Sequence, residues 1–199
     1  MVEALPLVFM VEALPKALCM LGGLAPVVWT SLVGVDAPSN SVTKTASTGW
    51  GNAGAVSQQQ LPSGDGFVEI TASETNTHRM FGLSNGNTNA SYQDIDFALY
   101  AQAGGNLQIY EGGALRVGSA GTYIPGDKLR VAVEGGIVKY RKNGALLYTS
   151  LVAPTYPLLV DTALYSQNAT ITSAVVDFGE EELTLPTFTA PTIQRVFGG

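Results

Sequence analysis

Cysteine and histidine are nearly absent from this chain of 199 residues, which contains one of each, Cys19 and His78. A single cysteine excludes an internal disulfide framework and a zinc site built on cysteines. Cys19 lies in an apolar segment, and we interpret it as a small hydrophobic residue rather than a nucleophile. A catalytic triad would have to be built around His78 alone. We therefore expect no enzymatic activity, and we expect no cofactor.

Charged residues are also scarce, at 13% of the chain against about a quarter in typical soluble proteins. Sixteen acidic and ten basic residues leave a formal net charge of −6. The basic residues are scattered, apart from Lys139, Arg141 and Lys142, which we interpret as the solvated face of a hairpin. This pattern argues against an extended nucleic-acid-binding surface.

The first 26 residues differ from the rest because they are apolar and repetitive. Met-Val-Glu-Ala-Leu-Pro occurs at residues 1–6 and again at 10–15. Glu12, Lys16 and the prolines interrupt every window of about 20 residues, so we expect no membrane span. Two interpretations remain open: a processed targeting segment, or an arm that packs on a neighbouring subunit. We prefer the arm, because large apolar patches usually mark interaction surfaces.

The opposite end, residues 183–199, alternates apolar residues with threonine and contains two prolines, a pattern typical of an extended tail. We accordingly divide the chain into an N-terminal assembly arm (1–26), a β-sandwich domain (27–180) and an extended C-terminal tail (181–199). The residues expected to contact copies of the chain or other assembly proteins are apolar and lie in the two ends: Leu5, Leu7, Phe9, Leu14, Leu18, Leu21, Leu185, Phe188, Ile193, Val196 and Phe197.

Between these ends, short runs of alternating apolar and polar residues are separated by turn residues. In the clearest example, residues 138–149, two such runs flank Asn143-Gly144, a dipeptide that accepts the positive φ angles of a two-residue hairpin turn. Many short strands at this spacing predict an all-β fold, a two-sheet antiparallel sandwich. We expect thirteen strands, at 27–35, 41–45, 53–60, 66–72, 79–83, 95–101, 106–110, 114–117, 128–134, 137–141, 146–150, 158–164 and 169–178.

Alternation within these runs assigns one side of each strand to the interior. The predicted core residues are Phe67, Ile70, Met80, Phe81, Leu83, Ile95, Phe97, Leu99, Leu107, Ile109, Leu129, Val131, Val133, Val138 and Tyr140.

Several short segments, taken in order, carry a family resemblance. They are residues 49–55, 64–69, 79–84, 92–97, 110–112, 126–127 with 130–134, and 140–144. Together they resemble the concanavalin A-like, SPRY-type sandwich modules of bacterial surface proteins and phage structural proteins. The resemblance spans roughly residues 27–178 and neither end. It implies a concanavalin A-like jelly roll, whose members mostly bind ligands or decorate a surface.

Two aspartates, Asp94 and Asp96, lie two residues apart and would share one face of an extended segment. Such a pair is compatible with Ca²⁺ binding or with glycoside hydrolysis. The family resemblance implies instead that these acids bind the amides of a turn before a strand. We therefore assign no metal ligand.

Aromatic residues offer a second kind of candidate site. Trp50 lies in a loop-like setting beside Asn52, and its ring is a candidate platform for stacking against a sugar; the alternative is a buried tryptophan that anchors the loop. The other aromatic candidates are Tyr92, Tyr100, Tyr110, Tyr123 and Tyr148, for which ordinary packing is the alternative. The candidate ligand-binding set is Trp50, Asn52, Tyr92, Asp94 and Asp96.

Two functional hypotheses follow. The first is a non-catalytic structural protein on the exterior of a large assembly, such as a phage capsid decoration, a tail component or a surface filament subunit, docked by its ends. The alternative is a lectin-like module of a bacterial surface protein that binds surface glycans. Either function predicts a location on a virion, on a cell surface or outside the cell.

Overall fold

The computed structural model describes residues 23–179, which form two packed antiparallel sheets. A 3-10 turn lies at Tyr92–Asp94. The strands of the described residues are β1 (Ala25–Pro26), β2 (Trp29–Val33), β3 (Val35–Asp36), β4 (Val42–Lys44), β5 (Gly54–Leu61), β6 (Gly66–Thr71), β7 (Arg79–Ser84), β8 (Phe97–Ala101), β9 (Leu107–Glu111), β10 (Ala114–Val117), β11 (Lys128–Glu134), β12 (Ile137–Lys142), β13 (Ala145–Thr149), β14 (Leu158–Leu164) and β15 (Thr170–Asp177).

All thirteen strands expected from the sequence are present, with small differences at their ends. The expected strand at 27–35 is divided into β2 and β3. Ser31 has a φ of 50° and Gly34 a φ of 56°, and this left-handed backbone interrupts strand pairing. The strand β1 lies inside the segment that we assigned to the N-terminal arm, and it pairs with β15. The division into arm, domain and tail stays a prediction.

The first sheet has the order β13-β12-β11-β6-β15-β4-β3, with β1 also paired to β15. The second sheet has the order β10-β9-β8-β7-β14-β5-β2. Every pairing is antiparallel. Consecutive strands pair in β11–β13 and in β7–β10, whereas β14 lies between β7 and β5, which come from distant parts of the sequence.

The core lies between the two sheets and is built from alternate residues of their strands. From β7, Phe81 and Leu83 point inward, and Val68 and Ile70 of β6 meet them from the first sheet. Of the predicted core residues, Phe67 is wrong. It is out of phase with Val68 and Ile70, so its half-buried ring faces away from the core, with the Arg130 guanidinium carbon 3.7 Å from its centroid.

Candidate functional site

The outward face of the second sheet, which points away from the core, carries an apolar layer of its own. Met80, Ile95, Ala98 and Ala163 are buried there. Met80 and Ile95 are thus buried as predicted, but outside the layer between the sheets. Ile95 belongs to the connection between β7 and β8, residues 85–96, which folds back over this face. We call this connection the covering loop.

Six rings meet above this apolar layer, and we call them the aromatic patch: Trp50, His78, Tyr92, Tyr100, Tyr110 and Tyr165. Every one of them is half-buried. The Trp50 ring centroid lies 5.1 Å from that of Tyr92, 5.7 Å from Tyr100 and 5.1 Å from Tyr165. Tyr110 completes the group at 5.8 Å from Tyr92 and 5.9 Å from Tyr100. Edge-to-face contacts of this kind hold the rings in a fixed arrangement.

Strand alternation explains why the tyrosines of the patch face outward. Leu99 of β8 and Ile109 of β9 point into the core, so the next residues, Tyr100 and Tyr110, point to the opposite face. Two further aromatic candidates lie elsewhere. Tyr123 is buried beside Arg79, and Tyr148 packs on Tyr140 of the first sheet with ring centroids 6.0 Å apart.

Trp50 is placed by a buried lysine at the end of β4. The Lys44 side chain is fully buried, and its Nζ donates to Gly49 O at 2.6 Å, to Asn52 Oδ1 at 2.6 Å and to Leu164 O at 2.8 Å. Burial lowers the pKa of Lys44. Because the first two acceptors flank Trp50, the ammonium group closes the loop of residues 45–53 and fastens it to the end of β14.

Asn52 holds this loop together with two side-chain hydrogen bonds. Its carboxamide oxygen accepts from Lys44, and its Nδ2 donates to Ser47 O at 3.0 Å. The side chain therefore positions the loop that carries Trp50. A direct contact between Asn52 and a ligand stays a prediction.

Asp94 and Asp96 hold the covering loop in place. Asp94 accepts from Thr88 N at 2.6 Å, from Thr88 Oγ1 and from Asn89 N at 3.2 Å. Asp96 accepts from Asn85 N at 2.8 Å. These are the turn-amide contacts that the family resemblance implied. They fix the segment that presents Tyr92 to the patch.

The same contacts bear on whether Asp94 and Asp96 could bind a metal ion. Asp94 Oδ2 accepts from the amides of Thr88 and Asn89, Asp94 Oδ1 accepts from the Thr88 hydroxyl group, and Asp96 Oδ2 accepts from the Asn85 amide. Residues 23–179 contain no group of three or more His, Cys, Asp or Glu side chains arranged to hold a metal. The assignment of no metal ligand stays a prediction.

His78 lies at the rim of the patch, and its contacts select one tautomer of the neutral ring. Its Nδ1 lies 2.8 Å from Tyr100 Oη and accepts from Ala103 N at 3.3 Å. Because the Ala103 amide can only donate, Nδ1 carries no proton and Tyr100 is the donor in the first contact. The facing rings are Tyr100 and Tyr165, at 5.8 and 5.9 Å. Burial lowers the pKa of His78.

We expect this arrangement to make the fold sensitive to mild acid. The unfolded chain takes up the His78 proton more readily, so the stabilisation is complete above the unfolded pKa of about 6.5 and is lost as the pH falls through the lower folded pKa. The loss of stability is measured as the change in Tm between about pH 7 and pH 5.5. His78→Asn, whose carboxamide oxygen can replace Nδ1 as the acceptor, should show a shallower pH dependence over this range. An identical dependence in both proteins would refute the assignment.

One further motif was not among the features predicted from the sequence. Residues 82–86 read Gly-Leu-Ser-Asn-Gly, the spacing of a nucleophile elbow. Ser84, however, ends strand β7, is 1% exposed and donates to Asp94 O at 3.0 Å. His78 precedes the other end of β7, six residues away, or roughly 20 Å along an extended strand. The two cannot form a nucleophile–base pair. The absence of enzymatic activity nevertheless stays a prediction.

A groove of about 550 Å³ lies beside the patch, and we call it the polar groove. It adjoins the patch on two sides, because Thr48 is close to Trp50 in sequence and Ser166 follows Tyr165. All of its lining residues are polar, and they are Thr48, Ser73, Glu74, Asn76, Thr77, Ser166, Gln167, Asn168, Thr170 and Thr172. Hydroxyl and amide groups make up most of this lining, together with the Glu74 carboxylate, and they suit a ligand rich in hydroxyl groups.

The structure thus brings Trp50, Tyr92 and the neighbouring loop aspartates to one face. It adds His78 and Tyr165, which the sequence did not single out as binding residues, since nothing local shows that they meet Trp50. The predicted assembly contacts all lie outside the described residues: Leu5, Leu7, Phe9, Leu14, Leu18, Leu21, Leu185, Phe188, Ile193, Val196 and Phe197. No helix within residues 23–179 is long and apolar enough to cross a membrane.

The chain is similar to known proteins in structure but not in sequence. No protein-family model and no curated protein matches the chain. Among solved structures, the exoplasmic/lumenal domain of VIP36 is 10% identical with a TM-score of 0.52, covering 78% of this chain and 85% of that one. The Emp46p carbohydrate recognition domain is 9% identical with a TM-score of 0.51, covering 77% and 89%. The SPRY domain of human HERC1 is 15% identical with a TM-score of 0.48, covering 78% and 96%.

At these identities the likeness shows the fold alone. The likeness to the VIP36 and Emp46p domains agrees with the two packed antiparallel sheets of residues 23–179, and the predicted fold class is confirmed. The described part of the chain is a concanavalin A-like β-sandwich.

Proposed function

We propose that the domain is a non-catalytic carbohydrate-binding module whose ligand lies on the aromatic patch. The observation that carries the proposal is the collection of five half-buried Trp and Tyr rings on one face of the sheet. The carbon-bound hydrogens of a pyranose ring form an apolar face that stacks well on such rings. The polar edges of the tyrosines remain available for hydroxyl groups.

The negative charge of the protein favours one class of glycan over another. The chain carries a net charge of −6, and Asp94 and Asp96 lie in the loop that borders the patch. An anionic sugar would meet repulsion from these carboxylates. The polar groove, with its hydroxyl and amide lining, offers hydrogen bonds to a neutral ligand that extends past Trp50. We therefore propose a neutral glycan.

Two of the similar structures support this choice. That of Emp46p is named as a carbohydrate recognition domain, and that of VIP36 was solved with Ca²⁺ and Man3GlcNAc bound. The Ca²⁺ is not carried over, because the described residues hold no matching ligand cluster. A glycan-binding role places the domain where glycans are displayed, outside the cell or at a cell surface.

A glycan array probed with the full chain tests the proposal. We expect saturable binding to at least one neutral glycan and weaker or no binding to sialylated or sulfated glycans. Binding to no glycan, or binding confined to anionic ones, would contradict the proposal.

The role in a large assembly is the second candidate, and one observation favours it. The first and last described residues, Gly23 and Gly179, line the same groove of about 380 Å³, together with Val28 and Phe178. Leu24 and Val28 are exposed nearby, at 59% and 50%. The described part of the chain therefore begins and ends beside a partly apolar surface, which also includes Gln58, Gln59 and Gln60 and is suited to self-association.

Light scattering of the full chain and of a variant lacking residues 1–22 tests this second role. We expect the full chain to be larger than a monomer and the truncated chain to be smaller. Monomeric behaviour of the full chain would remove the second candidate and leave the glycan-binding proposal untouched.

A further inference from the structure

Asp161 is a buried acidic residue that does not belong to the aromatic patch. It lies in the middle of β14, is 2% exposed, and its Oδ2 has no hydrogen-bond partner among the described residues. A buried polar atom without a partner is costly, and native structures contain few of them. Stability alone therefore gives no reason for an aspartate at this position.

The surroundings explain why Oδ2 lacks a partner. On β7 the residue opposite Asp161 is Gly82, which offers no side chain. On the β5 side, Thr162 Oγ1 bonds the backbone of Ala55, and Ser57 Oγ accepts from Val160 N. These hydroxyl groups are already engaged with the backbone on either side of Asp161.

Three amides of the covering loop are engaged elsewhere, because Asp94 and Asp96 accept from Asn85 N, Thr88 N and Asn89 N. Burial raises the pKa of Asp161, repulsion from Asp94 and Asp96 raises it further, and the Thr162 amide opposes the shift. These effects favour the protonated form of Asp161, and a protonated carboxyl group offers one O–H donor and one carbonyl acceptor.

A cleft of about 280 Å³ lies beside this acid, and we call it the Asp161 cleft. Its lining combines the covering-loop residues Asn87–Ala90 with the exposed apolar side chains of Leu32 and Val33. Asp161 and Ala163 point to the same face of β14, about 7 Å apart along the strand. Since Ala163 lies beneath the aromatic patch, the cleft and the patch share one face of the sheet.

We propose that the Asp161 cleft is a second sugar subsite, in which Asp161 exchanges hydrogen bonds with a hydroxyl group of the ligand. A hydroxyl group both donates and accepts, as does a neutral carboxyl group, while Leu32 and Val33 suit the apolar face of the ring. This inference rests on the proposed function. It extends the ligand from one sugar unit on the patch to a glycan of at least two units.

Nuclear magnetic resonance of the ¹⁵N-labelled full chain, titrated with the methyl glycosides of glucose, galactose, mannose and N-acetylglucosamine, locates binding directly. For at least one glycoside we expect amide shifts at Val56, Thr88 and Asn89. They should persist in Trp50→Ala, which removes only the patch. In Asp161→Val the affinity at the cleft should fall about tenfold, the value of one lost hydrogen bond, and Asp161→Asn should restore most of it.

Two outcomes would overturn the subsite and are distinguishable from each other. Shifts confined to residues around Tyr100 and Tyr110 would leave the glycan-binding function intact without a second subsite. Shifts nowhere would contradict both. Thermal unfolding adds an independent readout: Asp161→Val should raise Tm, because an unpaired buried acid is replaced by an apolar residue suited to a strand. A fall in Tm would mean that Asp161 has a structural partner, which would also overturn the subsite.

Discussion

Replacing Lys44 with methionine is expected to lower Tm by about 10 °C and to abolish ligand binding at the patch. The ammonium group donates to Gly49 O, Asn52 Oδ1 and Leu164 O. Hydrogen bonds to a charged group are each worth about 1.5–3 kcal/mol. Methionine fits the volume and avoids burying a charge, but it leaves all three acceptors without their donor. We expect a net loss of about 3 kcal/mol, equivalent to roughly 10 °C for a domain of this size.

Lys139→Met is the matched control. Lys139 also lies in a strand, and its Nζ is 3.1 Å from Glu134, but the pair is partly exposed. Surface pairs of this kind contribute about 0–1 kcal/mol. Differential scanning calorimetry measures the Tm of both variants, and we expect a much larger loss for Lys44→Met than for Lys139→Met. Equal shifts in Tm would mean that Lys44 does not anchor the loop of residues 45–53.

The second large effect is expected from Trp50→Ala, which should weaken glycan binding by at least 30-fold. Trp50 contacts three tyrosines of the patch, so it stands at the centre of the proposed contact surface. Central aromatic residues typically cost about 2 kcal/mol or more when truncated, and 2 kcal/mol corresponds to roughly 30-fold in affinity. Isothermal titration calorimetry with a glycan identified on the array measures the change.

Two controls accompany this variant. Trp50→Phe keeps an aromatic face and should retain part of the affinity. Tyr148→Ala truncates an aromatic residue of the first sheet, where Tyr148 packs on Tyr140, and should leave the affinity within about twofold. If Trp50→Ala and Tyr148→Ala bind equally well, the ligand does not lie on the patch.

Local patterns in the sequence predicted most of the fold. The turn at Asn143-Gly144 adopts φ angles of 49° and 79°, as its residue types require, and it joins β12 to β13. Alternation placed Phe81 and Leu83 in the core correctly. Alternation also assigns Phe67 to the outward face, opposite to Ile70, and its prediction as a core residue was wrong because it rested on hydrophobicity alone.

The site was less predictable because it depends on contacts between distant residues. Lys44 is in phase with the core residue Val42 along β4, but only the fold shows that Gly49, Asn52 and Leu164 converge on its Nζ. A clearer signal was available at Asp161, a lone acid within the apolar run Leu158–Leu164. An acid in a fully buried strand is unusual enough to suggest a functional group.

Contact between a glycan and the aromatic patch can be measured directly, because the chain has only two tryptophans and one of them, Trp50, lies in the patch. In a Trp29→Phe variant, Trp50 is the sole tryptophan, so the emission of the protein reports the environment of the patch. Titration with a glycan from the array should change this emission saturably, with the dissociation constant found by calorimetry. Binding by calorimetry with no change in Trp50 emission would contradict the account.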